Sequence, residues 1–172
     1  MKKLLLPLFA LLIATSCNRL TQFNMEYDQS VVIPSSTGIS LPLNLVTPDI
    51  ESNAESTFEV HDTRKDHIEQ IKLTDLSLTI TSPAGGTFSF LESCAIYISA
   101  NGLSEVQIAS LNPVPSTAGA TITLETTLVD LQEYIKQDQF KMRVNTVTDE
   151  LLTSDYHIDI HTNFFVDAKI VK

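Results

Sequence analysis

Tyr156-His157-Ile158-Asp159-Ile160-His161-Thr162-Asn163-Phe164-Phe165-Val166-Asp167-Ala168-Lys169-Ile170 runs almost to the end of the chain on a period of two. Its even positions carry Tyr156, Ile158, Ile160, Phe164, Val166, Ala168 and Ile170, with polar or charged residues at most positions between. Successive side chains of a strand point to opposite faces, so this stretch reads as one long strand, one face in a core and one in solvent. The same alternation recurs outward from it. Phe23, Met25, Tyr27, Val31 and Ile33 share one parity, and Ile39, Leu41, Leu43 and Leu45 resume it after the turn cluster Pro34-Ser35-Ser36-Thr37-Gly38. That spacing predicts an N-terminal hairpin. Pro42 has no amide hydrogen for a ladder, which places its strand on an edge or at a bulge.

Ile68 to Thr81 is a further strand whose apolar phase breaks. Ile71 and Leu73 share one parity and Leu76, Leu78 and Ile80 the other, so a bulge or bend is predicted at Thr74-Asp75. A strand bent in this way can serve both sheets of a sandwich. Pro83-Ala84-Gly85-Gly86 ends it, and Phe88, Phe90 and Leu91 read as core plugs. Cys94 to Ala100 is a strand, with Asn101-Gly102 as a two-residue hairpin turn into a partner carrying Val106 and Ile108. A loop follows over 112–119, then a strand marked by Ile122, Leu124 and Leu128, and one begun by Phe140, Met142 and Val144. Ser56-Thr57-Phe58-Glu59 matches a capping box, which predicts a short helix over 56–65; Asp130 opens another ending near Gln137. The total is about eight strands and two short helices. An all-β fold follows, a two-sheet β-sandwich of immunoglobulin-like or Greek-key type, with a β-barrel as the alternative.

The composition bounds the function. A chain of 172 residues suits one domain. With 43% hydrophobic and 19% charged residues it is globular rather than disordered. A formal charge of -10 argues against nucleic acid and against electrostatic docking on anionic lipid. With 2 Cys there is neither a disulfide framework nor a Cys-based zinc site.

The first residues read as an address. Met1-Lys2-Lys3 is a basic start, and Leu4 to Ile13 is an apolar run interrupted by Pro7, the length of a signal-peptide core and too short to span a bilayer. Ala14-Thr15-Ser16-Cys17 follows, and resembles the lipobox of bacterial lipoproteins, with Ala14 where that family usually has Leu. The resemblance implies cleavage after Ser16 and lipidation of Cys17; an ordinary signal peptide would be cut at the same place and leave Cys17 bare. The domain plan is therefore a signal peptide at 1–16, a lipidated N-terminus and short tether at 17–20, and one β-sandwich domain over 21–172. Asn18, being other than Asp, is compatible with the outer membrane of a Gram-negative envelope. Cleavage leaves 156 residues of charge −12, because Lys2 and Lys3 depart with the leader. Cys94 then has no partner, and its parity with Ile96 and Ile98 makes it a buried, inert thiol.

His157-x-Asp159-x-His161 puts three side chains on one strand face, where a metal could be shared if other ligands arrived. The competing reading is the solvated face of the last strand, with Phe165 also on it. His61, Asp62, Asp66 and His67 form a second polar group, read as a solvated face. Asp149-Glu150 with Asp155, and Glu26 with Asp28, are acidic groups without a calcium-loop spacing. No nucleophile elbow, zinc-protease motif or phosphate loop occurs, so no catalytic residue, enzyme activity or cofactor is expected. The leading expectation is a lipid-anchored envelope protein, held to the membrane through its N-terminal lipid, with a non-catalytic binding or scaffolding role toward an envelope protein or glycan. A ligand- or glycan-binding module of a surface uptake system, recognisable by an exposed aromatic pair, and a metal-dependent hydrolase at His157, Asp159 and His161 are the alternatives.

Overall fold

A computed structural model describes residues 22–169. The leader, Cys17, the tether and Ile170 therefore lie outside the described residues. Ten strands and two short α-helices follow in chain order: β1 (Gln22–Ile33), β2 (Pro42–Val46), β3 (Ile50–Glu51), α1 (Ala54–Val60), β4 (Ile68–Ser82), β5 (Leu91–Ala100), β6 (Val106–Leu111), β7 (Thr121–Thr123), β8 (Glu125–Thr126), α2 (Gln132–Ile135), β9 (Gln139–Thr148) and β10 (Tyr156–Ala168). They form a four-stranded sheet ordered β1-β10-β4-β7 and a six-stranded sheet ordered β2-β9-β5-β6-β8, with β3 also on β9. Among the described residues every pairing is antiparallel and no barrel closes.

The expected two-sheet sandwich of Greek-key type is what forms. Its pairings have a simple logic. β1 pairs with β10, β2 with β9, β4 with β7 and β5 with β6. The chain is thus one long antiparallel ribbon, doubled back at the β5–β6 hairpin and wound so that β10 also meets β4 and β9 also meets β5. That is the jelly-roll arrangement rather than the immunoglobulin strand order.

Several local expectations change. β1 and β2 do not form a hairpin: each joins a different sheet, because each finds its partner among the last strands. Pro42 does lie on an edge strand. The break in β4 is a bulge at Thr74, since Asn163 faces Asp75 while Phe164 faces Leu73. The Thr74 hydroxyl donates to the Asn163 carbonyl at 3.0 Å. β4 nonetheless stays in one sheet, with β10 on one side and β7 on the other. The crossing occurs instead at Leu124, between β7 and β8, and this divides the strand expected through Leu128. Leu128 is exposed, with φ of 54°.

α1 starts at Ala54, two residues before the predicted capping box. Ser56 and Thr57 turn back to donate to the Asn53 carbonyl, both at 2.9 Å, and Arg64 and Lys65 fall beyond the helix. α2 spans only Gln132–Ile135. The β5–β6 connection occupies residues 101–105, longer than two residues, with Gly102 at φ 73°.

The core lies between the sheets. Phe58, Phe88, Phe140 and Phe164 are fully buried, as are Ile71, Leu73, Leu76, Ile96 and Ile98. Tyr27, Phe140 and Phe164 meet edge to face, with centroids 5.1, 5.7 and 6.4 Å apart, and so join β1, β9 and β10 across the two layers. The Tyr27 hydroxyl donates to the Ser52 carbonyl at 2.6 Å, and burial pushes its pKa up. Threonines take several inward positions and are satisfied there: Thr162 donates to the Tyr27 carbonyl at 3.0 Å and Thr146 to the Ser93 carbonyl at 2.7 Å. Cys94 is buried, and desolvation pushes its thiol up to about 12. A thiol held there is protonated at neutral pH, which fits the inert role expected of it.

Candidate functional site

The outer face of the four-stranded sheet holds the residues singled out from the last strand. On β10, His157 and Asp159 are exposed, His161 and Phe165 are half-buried, and Ile158 and Ile160 between them are in the core. Antiparallel register sets Asp28 of β1 opposite His161, and Ser30 opposite Asp159. His161 Nδ1 lies 2.8 Å from Asp28 Oδ1. Donating this hydrogen bond to the Asp28 carboxylate raises the His161 pKa, helped by the charges of Glu26 and Asp75.

His157 and Asp159 take no part in that contact. Among the described residues no group of three or more His, Cys, Asp or Glu side chains is placed to hold a metal ion. The triad His157, Asp159, His161 is therefore not assembled as a metal site: neighbours two apart on an extended, solvated strand stay separate, and His161 turns to the carboxylate across the ladder. The second polar group also disperses. His61 stacks flat on Phe23, with centroids 3.9 Å apart, while Asp66 sits near Arg64 at 3.8 Å and His67 at 3.6 Å. Of the acidic groups, Asp155 accepts from the Ser35 amide at 2.8 Å, which lowers its pKa, and Glu26 reaches Asn163 Nδ2 at 3.4 Å.

The His161–Asp28 pair carries a pH signature. Its folded pKa is raised, so the contribution of the pair to stability is present below the ordinary imidazole value of about 6.5 and is lost as pH rises through the folded value. Both side chains are substantially exposed, so that contribution is small. An NMR titration is expected to place the His161 midpoint above the ordinary imidazole value of about 6.5. Asp28→Asn is expected to bring it down. An unchanged midpoint in Asp28→Asn would show that the contact does not form.

The outer face of the six-stranded sheet carries a cluster that sequence reasoning missed. Arg143 of β9 stacks its guanidinium 4.2 Å above the Tyr97 ring of β5. It donates from Nε and Nη2 to Glu105 at 2.8 and 2.6 Å, and from Nη1 to Asn44 of β2. The hydrogen bond from Arg143 lowers the Glu105 pKa, and the carboxylate raises that of Arg143. All three guanidinium nitrogens donate, so the cluster braces β2 and the 101–105 turn against β9 and β5. The signal lay in register alone, since Tyr97 and Arg143 face each other across the ladder while being far apart in sequence.

No exposed aromatic pair of the kind a stacked sugar needs lies among the described residues. The exposed large apolar side chains there are aliphatic, Tyr97 lies under Arg143, and Phe165 is half-buried between Asn24 and Lys72. A cleft of about 410 Å³ opens beside α1, lined by Glu51, Asn53, Glu55, Glu59, Lys65 and Asp138.

What remains open is an edge. Among the described residues β1 has β10 on one side only, and its outward side chains Asn24, Glu26, Asp28, Ser30 and Val32 are all exposed. No helix among the described residues is long and apolar enough to cross a membrane.

The fold and this geometry define a jelly-roll β-sandwich with braced faces and one long free edge. No family model and no curated protein matches the chain. Among solved structures, it is similar to one of Desmodium yellow mottle tymovirus, at 14% identity over 87% of this chain and 85% of that one, with a TM-score of 0.31. It is also similar to one of turnip yellow mosaic virus, at 7% identity over 87% of this chain and 96% of that one, with a TM-score of 0.28. At those TM-scores neither likeness carries an argument about function.

Proposed function

We propose that the chain is a lipid-anchored protein of a bacterial cell envelope, whose β-sandwich binds or scaffolds an envelope partner and performs no catalysis. The observation that carries this reading is the stretch Ala14-Thr15-Ser16-Cys17 behind a basic, apolar leader, with only Asn18 to Thr21 between Cys17 and the first residue of β1. Four extended residues reach about 14 Å, so the sandwich would stand close to the bilayer with β1 leading away from it. Acyl chains at about 0.8 kcal/mol per buried methylene would hold it there, and two or more chains give stable anchoring where one does not. The charge of the body cannot supply that attraction, since without Lys2 and Lys3 acidic residues outnumber basic ones 21 to 9. Asn18 is compatible with the outer membrane.

The test is the mature N-terminus. Mass spectrometry is expected to find a first residue Cys17 carrying diacylglycerol and an amide-linked acyl chain, and the protein in the membrane fraction. Cys17→Ser is expected to shift it to the supernatant with its thermal unfolding unchanged. An unmodified Cys17 at the mature terminus would overturn the anchor.

A further inference from the structure

The backbone phase of β1 can be followed across the sheet. The Leu124 amide donates to the Leu76 carbonyl at 3.0 Å, and the Ile80 amide to the Ala120 carbonyl at 2.8 Å, so the even residues of β4 face β7. Ser77 and Thr79 therefore face β10, where they meet His161 and Asp159. The even residues Ile158, Ile160 and Thr162 of β10 are left to bond Val31, Gln29 and Tyr27. The β1–β10 ladder runs without a register shift from Gln22 to Ile33. It follows that Gln22, Asn24, Glu26, Asp28, Ser30 and Val32 turn both their amides and their carbonyls to the free edge. Among the described residues no backbone hydrogen bond outside the β1–β10 ladder reaches β1.

Long, flat free edges invite pairing with another strand. The side chains decide which strand. Glu26 and Asp28 are the charged residues along this edge, and they stand side by side on the outer face. A second copy of β1 is a poor occupant. The two antiparallel registers of greatest overlap that keep outer faces together set either Glu26 against Asp28 or Asp28 against Asp28, and like charges directly opposite are destabilising. On the inner side of the edge, Tyr27 and Phe23, whose ring also stacks on His61, are only half-buried, which leaves part of their apolar surface for a further side chain.

We propose that the β1 edge accepts an extended segment of a partner protein by strand addition, the segment alternating lysine or arginine on the outer face with apolar residues on the inner one. The proposal rests on the reading of this domain as a binding module and names the class of its partner. Main-chain hydrogen bonds along β1 supply the pairing, and Glu26 and Asp28 select the basic strand.

The probe is a synthetic decapeptide alternating lysine and valine, with a glutamate–valine counterpart, added to the full chain in neutral detergent. The lysine peptide is expected to bind about tenfold or more tightly than its counterpart and to weaken with salt. It is expected to slow amide exchange across 22–33. Ser30→Pro removes an amide that faces the free edge, so it is expected to abolish binding while far-UV circular dichroism stays unchanged. Glu26→Lys combined with Asp28→Lys is expected to reverse the preference. Binding that survives Ser30→Pro, protection mapping elsewhere, or even-numbered β1 amides already protected in the free chain would each overturn the proposal. Failure to bind with Cys17 still acylated removes the edge and leaves the anchor standing; binding with Cys17 bare does the converse.

Discussion

Phe164→Ala is expected to destabilise the fold by about 3–5 kcal/mol. Phe164 is fully buried on β10, the strand flanked by β1 and β4, and its ring meets Tyr27 and Phe140 edge to face. Truncation would remove both contacts and leave a cavity between sheets whose paired strands resist collapse. Urea denaturation should show a lower midpoint with an unchanged slope. Phe165→Ala is the control: its ring is half-buried on the opposite face, so a change within about 1 kcal/mol is expected. A larger loss at Phe165 than at Phe164 would mean that the inside and outside of β10 have been exchanged, as a slip of one residue does to a strand.

Asp130→Ala is expected to cost about 1–3 kcal/mol although the residue lies at the surface. Its Oδ1 accepts from the Ile71 amide at 3.1 Å and the Gln132 amide at 3.2 Å, while Oδ2 accepts from the Gln132 side chain at 2.7 Å. The Leu131 amide in turn donates to the Ile71 carbonyl at 2.7 Å, so this one carboxylate fastens α2 to β4 where no strand covers it. Its removal leaves the amide of a fully buried residue without a partner. Amide exchange over 128–137 should quicken, and Asp130→Asn, which retains an acceptor, should recover part of the loss. An Asp130→Ala chain as stable as the parent would show that water replaces the carboxylate there.

The side-chain periods made the class of fold legible and left its wiring dark. Alternation showed which residues face inward, and Cys94, Ile96, Ile98, Ile158, Ile160 and Phe164 are all in the core. The phase break at Thr74-Asp75 likewise marked a real bulge. Pairing is another matter, since a period of two says nothing about which strand lies alongside. A turn cluster after β1 suggested a hairpin with β2, whereas β1 finds β10 at the far end of the sequence. The capping box failed for a local reason: Asn53, with φ of 49°, turns the chain early enough for the helix to begin before Ser56.

The site was legible in part. His157, Asp159 and His161 share the outer face as their spacing required, but whether a metal could gather them depended on the strand beside them, and that strand offers Asp28 to His161 alone. The free edge of β1 could not be read at all before the order of the sheet was known. The same holds for the brace around Arg143, whose partners come from β2, β5 and the 101–105 turn.

A ribbon doubled at its middle has a consequence for how the chain is made. The β5–β6 hairpin can zip as soon as it emerges, because its strands are neighbours in sequence. The ribbon must then close outward, each later pair joining segments farther apart, until β10 meets β1. β10 also lies between β1 and β4, so a growing chain lacking its last strand leaves both without their shared partner. The four-stranded sheet is therefore completed only once β10 has been made. Until then β1 and β4 lack the strand that satisfies their facing amides and carbonyls, two edges exposed that the finished sheet covers.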